Sequence, residues 1–288
     1  MKGGFRRRDG RFPAPLRRGL AWSLAALGLS LACVDAATAA AQWKLVWSDE
    51  FDYRGLPDPA KWNYEEGFVR NNEAQYYTRA RKENARVEDG MLVIETRRER
   101  HRGAQYTSAS VTTEARASWR YGRVEVRARL PTGRGLWPAI WMMGSDRPQV
   151  GWPACGEIDI MENVGFDPDR VHATIHTPAF NGGKGTQKSG NAVVAAPYRE
   201  FHVYALEWFP DRLDFFVDGQ KIHGYANSGK GSDEWPYDKP FYLLINTALG
   251  GGWGGQQGID DAALPQRYYI DYVRVYRRAG SGPEGDRE

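Results

Sequence analysis

The chain has 288 residues, with 11 Trp, 15 Tyr, 11 Phe and 33 Gly, a length and composition that suit one large β domain with stacking surfaces and tight turns. Its formal net charge of +3 is concentrated at the start: residues 1–41 hold seven basic and two acidic residues, net +5, which leaves −2 for the rest. A body so close to neutral lacks the basic footprint that nucleic-acid binding requires.

A basic stretch, the apolar run from Leu20 to Ala32 and the small residues after it predict an export signal over residues 1–41. That run is too short for a bilayer span. Ala37-Thr38-Ala39 and Ala39-Ala40-Ala41 both fit a small-x-small cleavage site, giving a secreted or periplasmic protein. Leu31-Ala32-Cys33 is a partial lipoprotein signal, so a lipid anchor at Cys33 is the alternative, and Arg17-Arg18 weakly resembles a twin-arginine signal. Only Cys33 and Cys155 are present. Loss of Cys33 would leave Cys155 unpaired, so no disulfide framework follows. Cys155 reads as a small buried residue before a strand rather than a nucleophile.

Short alternating runs then follow one another, divided by turn signals. They begin with Leu45-Val46-Trp47 and continue with Met91–Thr96, after the turn dipeptide Asp89-Gly90. Arg123–Leu130 alternates cleanly and ends at Pro131-Thr132-Gly133. Val171–His176, Val203–Trp208 and Leu213–Val217 come next, with Asp218-Gly219 marking a hairpin. Phe241–Ile245 and Tyr268–Tyr276 close the series. Many short strands without amphipathic helices or repeats predict an all-β sandwich or barrel. Residues 42–277 are one domain, and the Gly- and charge-rich stretch 278–288 is a disordered tail.

The segment Gly156-Glu-Ile-Asp-Ile-Met-Glu-Asn163 is the most informative. Side chains alternate faces along a strand, so Glu157 and Asp159 share one face and Glu162 would fall on the other. A β-bulge near Met161 returns it. Three acids in a row repel one another unless one holds a proton, and a proton-sharing carboxylate pair is what glycoside hydrolysis uses. A solvated strand face is the plain alternative. The aliphatic residues between the acids, and Trp152, Pro153 and Cys155 before them, argue against it. His172 and His176 are four apart on an extended run, without the paired-His spacing of a zinc helix. Calcium loops use Asp/Asn/Gly-rich turns rather than an aliphatic strand. Trp137 and Trp141 share a face of another extended run and read as a platform for sugar rings, with core packing as the competing reading. Trp253, within a run of glycines, reads as a rim residue.

The run Gly156–Gly165 resembles the active-site strand of glycoside hydrolase family 16, and its extra residue before the last Glu resembles the laminarinase branch, the endo-β-1,3-glucanases. Trp47–Asp52, Asn71–Thr78, Tyr121–Arg127, Gly135–Trp141, Ile175–Thr177, Gly185–Lys188, Phe201–Trp208, Leu249–Trp253 and Ile270–Tyr276 resemble family segments in the same order. The resemblance implies a β-jelly-roll sandwich of the concanavalin A-like lectin/glucanase type, with a substrate cleft across one sheet. It implies Glu157 as nucleophile, Glu162 as acid/base, Asp159 as the middle carboxylate and His176 beside it. It places Trp137, Trp141, Trp253, Asn72, Glu73 and Asn246 in the cleft; Gln75 stays open as a further contact. It implies no cofactor for catalysis, a monomer, and a structural calcium ion held by backbone oxygens of Glu50 and Gly90 and the side chain of Asp271. One departure is Ser110, where many laminarinase-like sequences have Arg; that contact is absent or supplied by Arg116 or Arg123. The expected activity is retaining, endo-acting cleavage of β-1,3-glucan. Mixed-linkage β-1,3-1,4-glucan, a red-algal galactan, and a non-catalytic glucan-binding module remain the alternatives.

Overall fold

The structure is a computed structural model that describes residues 43–279; the predicted export signal, Cys33 and residues 280–288 of the predicted tail lie outside them. The first strands are β1 (Trp43–Asp49), β2 (Asn63–Tyr64), β3 (Gln75–Tyr77), β4 (Ala85–Glu88), β5 (Met91–His101), β6 (Ala104–Ser108), β7 (Ser110–Thr112) and β8 (Gly122–Arg129). Then come β9 (Leu136–Gly144), β10 (Glu157–Val164), β11 (Asp167–His176), β12 (Lys188–Val193), β13 (His202–Trp208), β14 (Arg212–Val217), β15 (Gln220–Ala226), β16 (Phe241–Leu249) and β17 (Gln266–Arg278). Among the described residues, no helix is long and apolar enough to cross a membrane.

Ten strands form one sheet in the order β15-β14-β13-β8-β17-β5-β6-β3, with β1 on β17 and β4 on β5. Seven form the other, β12-β11-β10-β9-β16-β7-β2. Period-two alternation drives their packing. In β8, Val124, Val126 and Ala128 enter the core, while outward Arg123 pairs with Glu125 and Glu207. Ile140, Ile158, Ile175, Leu243 and Ile245 of the other sheet join the same buried cluster. The result is the predicted β-jelly-roll sandwich. Asp89-Gly90 and Asp218-Gly219 make two-residue hairpins, with φ of 52° and 75° in the first and 49° and 78° in the second, and Arg102-Gly103 makes a third with 45° and 89°, the paired positive values of a type I′ turn.

Every run read as a strand is one. The short strands β2, β3, β7 and β12 carry too few residues, or too polar a sequence, to show alternation. The predicted tail begins one residue too early, because Arg278 is still in β17 and pairs with Trp43 of β1. β16 is buried along its whole length, for a reason that positions the site. Its inward residues meet the sandwich core, while Tyr242 and Leu244 join Ala139, Trp141, Met143 and Cys155 in a second apolar cluster on the opposite face. That cluster lies beneath the cleft.

Candidate active site

Gly156 leads the chain into β10 at φ +74°, and a Cβ there would come within 2.9 Å of Pro236 and 3.0 Å of Phe241. Only glycine meets both demands. Along β10, Asp159 pairs with Trp141 of β9, but the next β9 residue, Ile140, pairs with Met161. Two β10 residues therefore take one step, which is the predicted bulge. Ile160 and Met161 both turn into the core. Glu162 returns to the face of Glu157 and Asp159, and all three line one pocket. Asn163 braces the strand end: its buried Nδ2 donates to the carbonyls of Asp167, Pro168 and Arg170 at 3.3, 3.1 and 2.7 Å.

The pocket spans about 330 Å³, part of it open to solvent. Trp137 and Trp141 of β9, Asn246 of β16, and Arg70, Asn71 and Glu73 of the loop between β2 and β3 complete its walls with the three acids. Each outer acid is held by an indole: Trp152 Nε1 donates to Glu157 Oε2 at 2.7 Å, and Trp137 Nε1 donates to Glu162 Oε1 at 3.0 Å. His176, opposite Glu157 on β11, puts Nε2 3.2 Å from Asp159 Oδ2 and 3.9 Å from Glu157 Oε1. Its Nδ1 accepts from the Gly182 backbone N–H at 3.0 Å, which assigns the proton of a neutral ring to Nε2, facing the acids. Tyr237 ties the two strands together, its hydroxyl donating to the carbonyls of Glu157 and His176.

The electrostatics separate the acids. Burial, then the charge of Glu157 and a hydrogen bond to it, push Asp159 well above the usual carboxylate range. Burial, helped by the neighbouring carboxylates Asp159 and Glu157, pushes Glu162 well above it too, against the opposing pulls of His176 and the Trp137 N–H. Both groups therefore favour their protonated forms more than an exposed carboxylate does. Cys155 takes no part: it is fully buried, its Sγ lies 3.3 Å from Met143 Sδ, and burial pushes its thiol up to about 11.

Trp137, Glu73 and Asn246 sit where the sequence places them. Glu73 accepts from Gln75 and Asn71 at 2.7 and 3.1 Å, so Gln75 acts as its brace. Trp253 lies on the rim, edge-on to Trp137 at 5.4 Å and to His172 at 5.0 Å. Three readings need correction. Trp141 is no open platform: it is 6% exposed, its N–H goes to Asn246 Oδ1 at 2.7 Å, and the Arg70 guanidinium covers its ring at 4.7 Å. Asn72 is exposed and outside the pocket wall, where its neighbour Asn71 stands instead. Neither Arg116 nor Arg123 reaches the pocket; Arg123 belongs to β8 in the other sheet, bound to Glu125 and Glu207. The cation there is Arg70, which sequence reasoning missed because a lone Arg in a loop carries no pattern. Trp152 was seen only as a flank; its signal was an aromatic in a loop five residues before Glu157.

Among the described residues, one group of three potential metal ligands is close together: Glu157, Asp159 and His176, with ligand atoms within 4.8 Å. In the neutral ring with its proton on Nε2, His176 offers no free lone pair to a metal on the side that faces the acids. The calcium positions lie elsewhere. β1 and β5 pair with successive stretches of one edge of β17, ending at Asp49↔Val273 and Ile270↔Leu92. Glu50 and Gly90 thus meet opposite Asp271, itself an extra residue in the ladder with β8. The donors are all oxygen, the set calcium takes. Asp271 Oδ2 accepts from Arg127 at 2.6 Å, and the Glu50 carboxylate is bound by Arg274, which leaves Glu50 its backbone oxygen.

A jelly-roll sandwich with a carboxylate row in an open, aromatic-lined cleft is the site of a carbohydrate-cleaving enzyme. The sequence profile of glycosyl hydrolases family 16 matches residues 72–274, and the chain belongs to that family of hydrolases. A beta-glucanase of Rhodothermus marinus is 53% identical over 261 residues, spanning 87% of this chain and 91% of that protein. The X-ray structure of the laminarinase from Rhodothermus marinus superposes with a TM-score of 0.80 at 53% identity, covering 82% of this chain and 98% of that one. SCLam, a non-specific endo-β-1,3(4)-glucanase, superposes with a TM-score of 0.79 at 50% identity, covering 82% and 92%.

Proposed function

We propose that the chain is an endo-acting, retaining β-1,3-glucanase in which Glu157 is the nucleophile and Glu162 the acid/base. The observation that carries this reading is the β10 bulge, which brings both glutamates and Asp159 to one pocket wall. In the first step a Glu157 oxygen bonds to the anomeric carbon, the glycosidic C–O bond breaks, and the leaving oxygen takes the proton of Glu162. In the second step water attacks the same carbon, gives its proton to Glu162, and releases Glu157 as a carboxylate. Trp152 fixes the Glu157 carboxylate through one oxygen. Asp159, buried and protonated beside Glu157, stabilises the ionised nucleophile by a hydrogen bond whose proton stays in the pair. The raised Glu162 holds its proton to higher pH than an exposed glutamate, as the proton donor of the first step must.

A non-catalytic glucan-binding module has no need of two glutamates in this state. Mixed-linkage cleavage is the second reading, supported by the likeness to SCLam, a glucanase of that double specificity. The calcium ion is part of the proposal as a clamp at the corner of β1, β5 and β17; held by Glu50, Gly90 and Asp271, it would supply structural rigidity there. Export through residues 1–41 and action as a monomer also belong to this reading.

The test is incubation of the purified protein with laminarin, lichenan, curdlan and agarose, with product sizing and proton NMR of the first-formed anomer. Random shortening of laminarin with an initial β-anomer is expected. An initial α-anomer would exclude the double displacement, and cleavage of agarose alone would replace glucan by galactan.

A further inference from the structure

The Arg70 guanidinium is the one cation lining the pocket that holds Glu157, Asp159 and Glu162. It comes from the loop between β2 and β3, a different part of the chain from the strands that carry the acids. Two contacts fix it. Its flat face lies on the Trp141 ring at 4.7 Å, and its Nη2 donates to Glu65 Oε1. Glu65 is itself fastened to β7: its other oxygen accepts from Ser110 Oγ at 2.6 Å, and its backbone N–H donates to the Ser110 carbonyl at 3.1 Å. Ser110 is fully buried and pairs across the ladder with Asn246, another pocket residue. The arginine side chain keeps 20% of its surface open. Among the described residues Glu65 is its one hydrogen-bonding partner, so Nε and Nη1 retain donors.

A structural ion pair would not need this placement. A guanidinium held rigid on an indole, with donors unspent at a pocket wall, is pre-organised to bind oxygen ligands without paying for ordering its own chain. The neighbouring groups are uncharged Asn246 and Asn71 and the raised acid Glu73, and their bonds run within the pocket wall: Asn71 donates to Glu73, as does Gln75, while Asn246 accepts from Trp141 and donates to Tyr77. We propose that Arg70, locked by the Ser110–Glu65 clamp, is a substrate-binding and specificity-determining residue that donates to the hydroxyls of a glucosyl unit seated beside Trp141 and Asn246. The proposal rests on the β-glucanase reading and deepens it. Arg70 touches no reacting atom, so it contributes to affinity and to the choice of chain shape rather than to proton transfer.

The experiment measures wild type, Arg70→Ala and Arg70→Met on laminarihexaose, with Tm and circular dichroism as controls on folding. Arg70→Met keeps an apolar stem on Trp141 and removes only the donors. For both variants KM is expected to rise about tenfold, with kcat within about threefold of wild type and an unchanged pH profile. In the Glu157→Gln background, calorimetry with laminarihexaose should show the same loss of affinity. Because the side chain at position 110 points at Glu65, Ser110→Arg added to Arg70→Ala should return a guanidinium to that wall and recover part of the KM. A wild type that cleaves laminarihexaose while folded Arg70→Met keeps its KM would overturn the role of Arg70. A wild type that cleaves no β-glucan would overturn the functional reading beneath it. A loss confined to Tm, with KM intact in the surviving fold, would make Arg70 a structural ion pair.

Discussion

Glu157 and Glu162 differ in what surrounds them, and the difference sets what each substitution should do. Glu157→Gln is nearly isosteric and can still accept from Trp152, but an amide does not attack an anomeric carbon; hydrolysis is expected to vanish while glucan binding persists. Glu162→Ala should still be glycosylated by an aryl glycoside, whose leaving group needs no proton, and azide should restore turnover and give a β-glycosyl azide. A β-azide from Glu157→Ala instead would exchange the two roles. The pH dependence follows from the raised Glu162. Activity needs its proton, so the alkaline limb of kcat/KM should lie above the ordinary glutamate range. Burial is the largest cause of that raise; Asp159 adds to it only while ionised, so with Asp159 protonated Asp159→Asn should leave the alkaline limb in place. A limb that moves to lower pH would mean that Asp159 is ionised beside Glu162. The sign for stability is the reverse of the usual carboxylate case. A folded pKa above the unfolded one means that the native state binds more protons in between, so stability falls as pH rises through that window. Glu162→Gln removes this penalty and should be inactive yet more stable than wild type near neutral pH.

Strand β10 carries the site through a local irregularity. Deleting Met161 removes one of the two residues that share a step, and plain alternation then leaves Glu157, Asp159 and the following glutamate on one face. The downstream phase, including Asn163 and its three carbonyl bonds, is unchanged. The expected result is a folded protein that still cleaves glucan, destabilised by about 2–5 kcal/mol for the lost buried side chain, as read by chemical denaturation. Complete loss of activity in a folded deletion variant would show that the bulge sets the spacing of the acids and not only their face. The bulge was legible because apolar and acidic residues break step at Ile160-Met161. The brace from Asn163 to the carbonyls of Asp167, Pro168 and Arg170 was not, since an Asn in a strand carries no sign of which carbonyls it meets.

At the scale of the whole molecule, the β1–β17–β5 corner is where the first strand of the domain joins its last. Calcium bound there acts on the folded state alone, and at about a hundredfold excess over Kd it would add about 2.7 kcal/mol. For a domain of this size that is a rise in Tm of roughly 5–10 °C. Calcium is expected to raise Tm, EDTA to lower it, and Asp271→Asn to abolish the response while laminarin cleavage at room temperature stays at the wild-type rate. A calcium-independent Tm would leave Asp271 as the partner of Arg127 only.

The chain's own order of residues determined the longer strands, the turns, the all-β class and the row Glu157, Asp159, Glu162, because alternation and turn chemistry are properties of neighbours along the chain. Tertiary structure decided what those patterns leave open. Whether Trp141 is a platform or a floor depends on Arg70, 71 positions away in sequence and 4.7 Å away in space. Which glutamate keeps a proton depends on burial under residues from β9, β11 and two loops. Contacts between distant segments follow from sheet register and close packing, which single residues do not announce. The chemistry of the site was therefore written in one strand, and its selectivity in the loops that the sandwich folds over it.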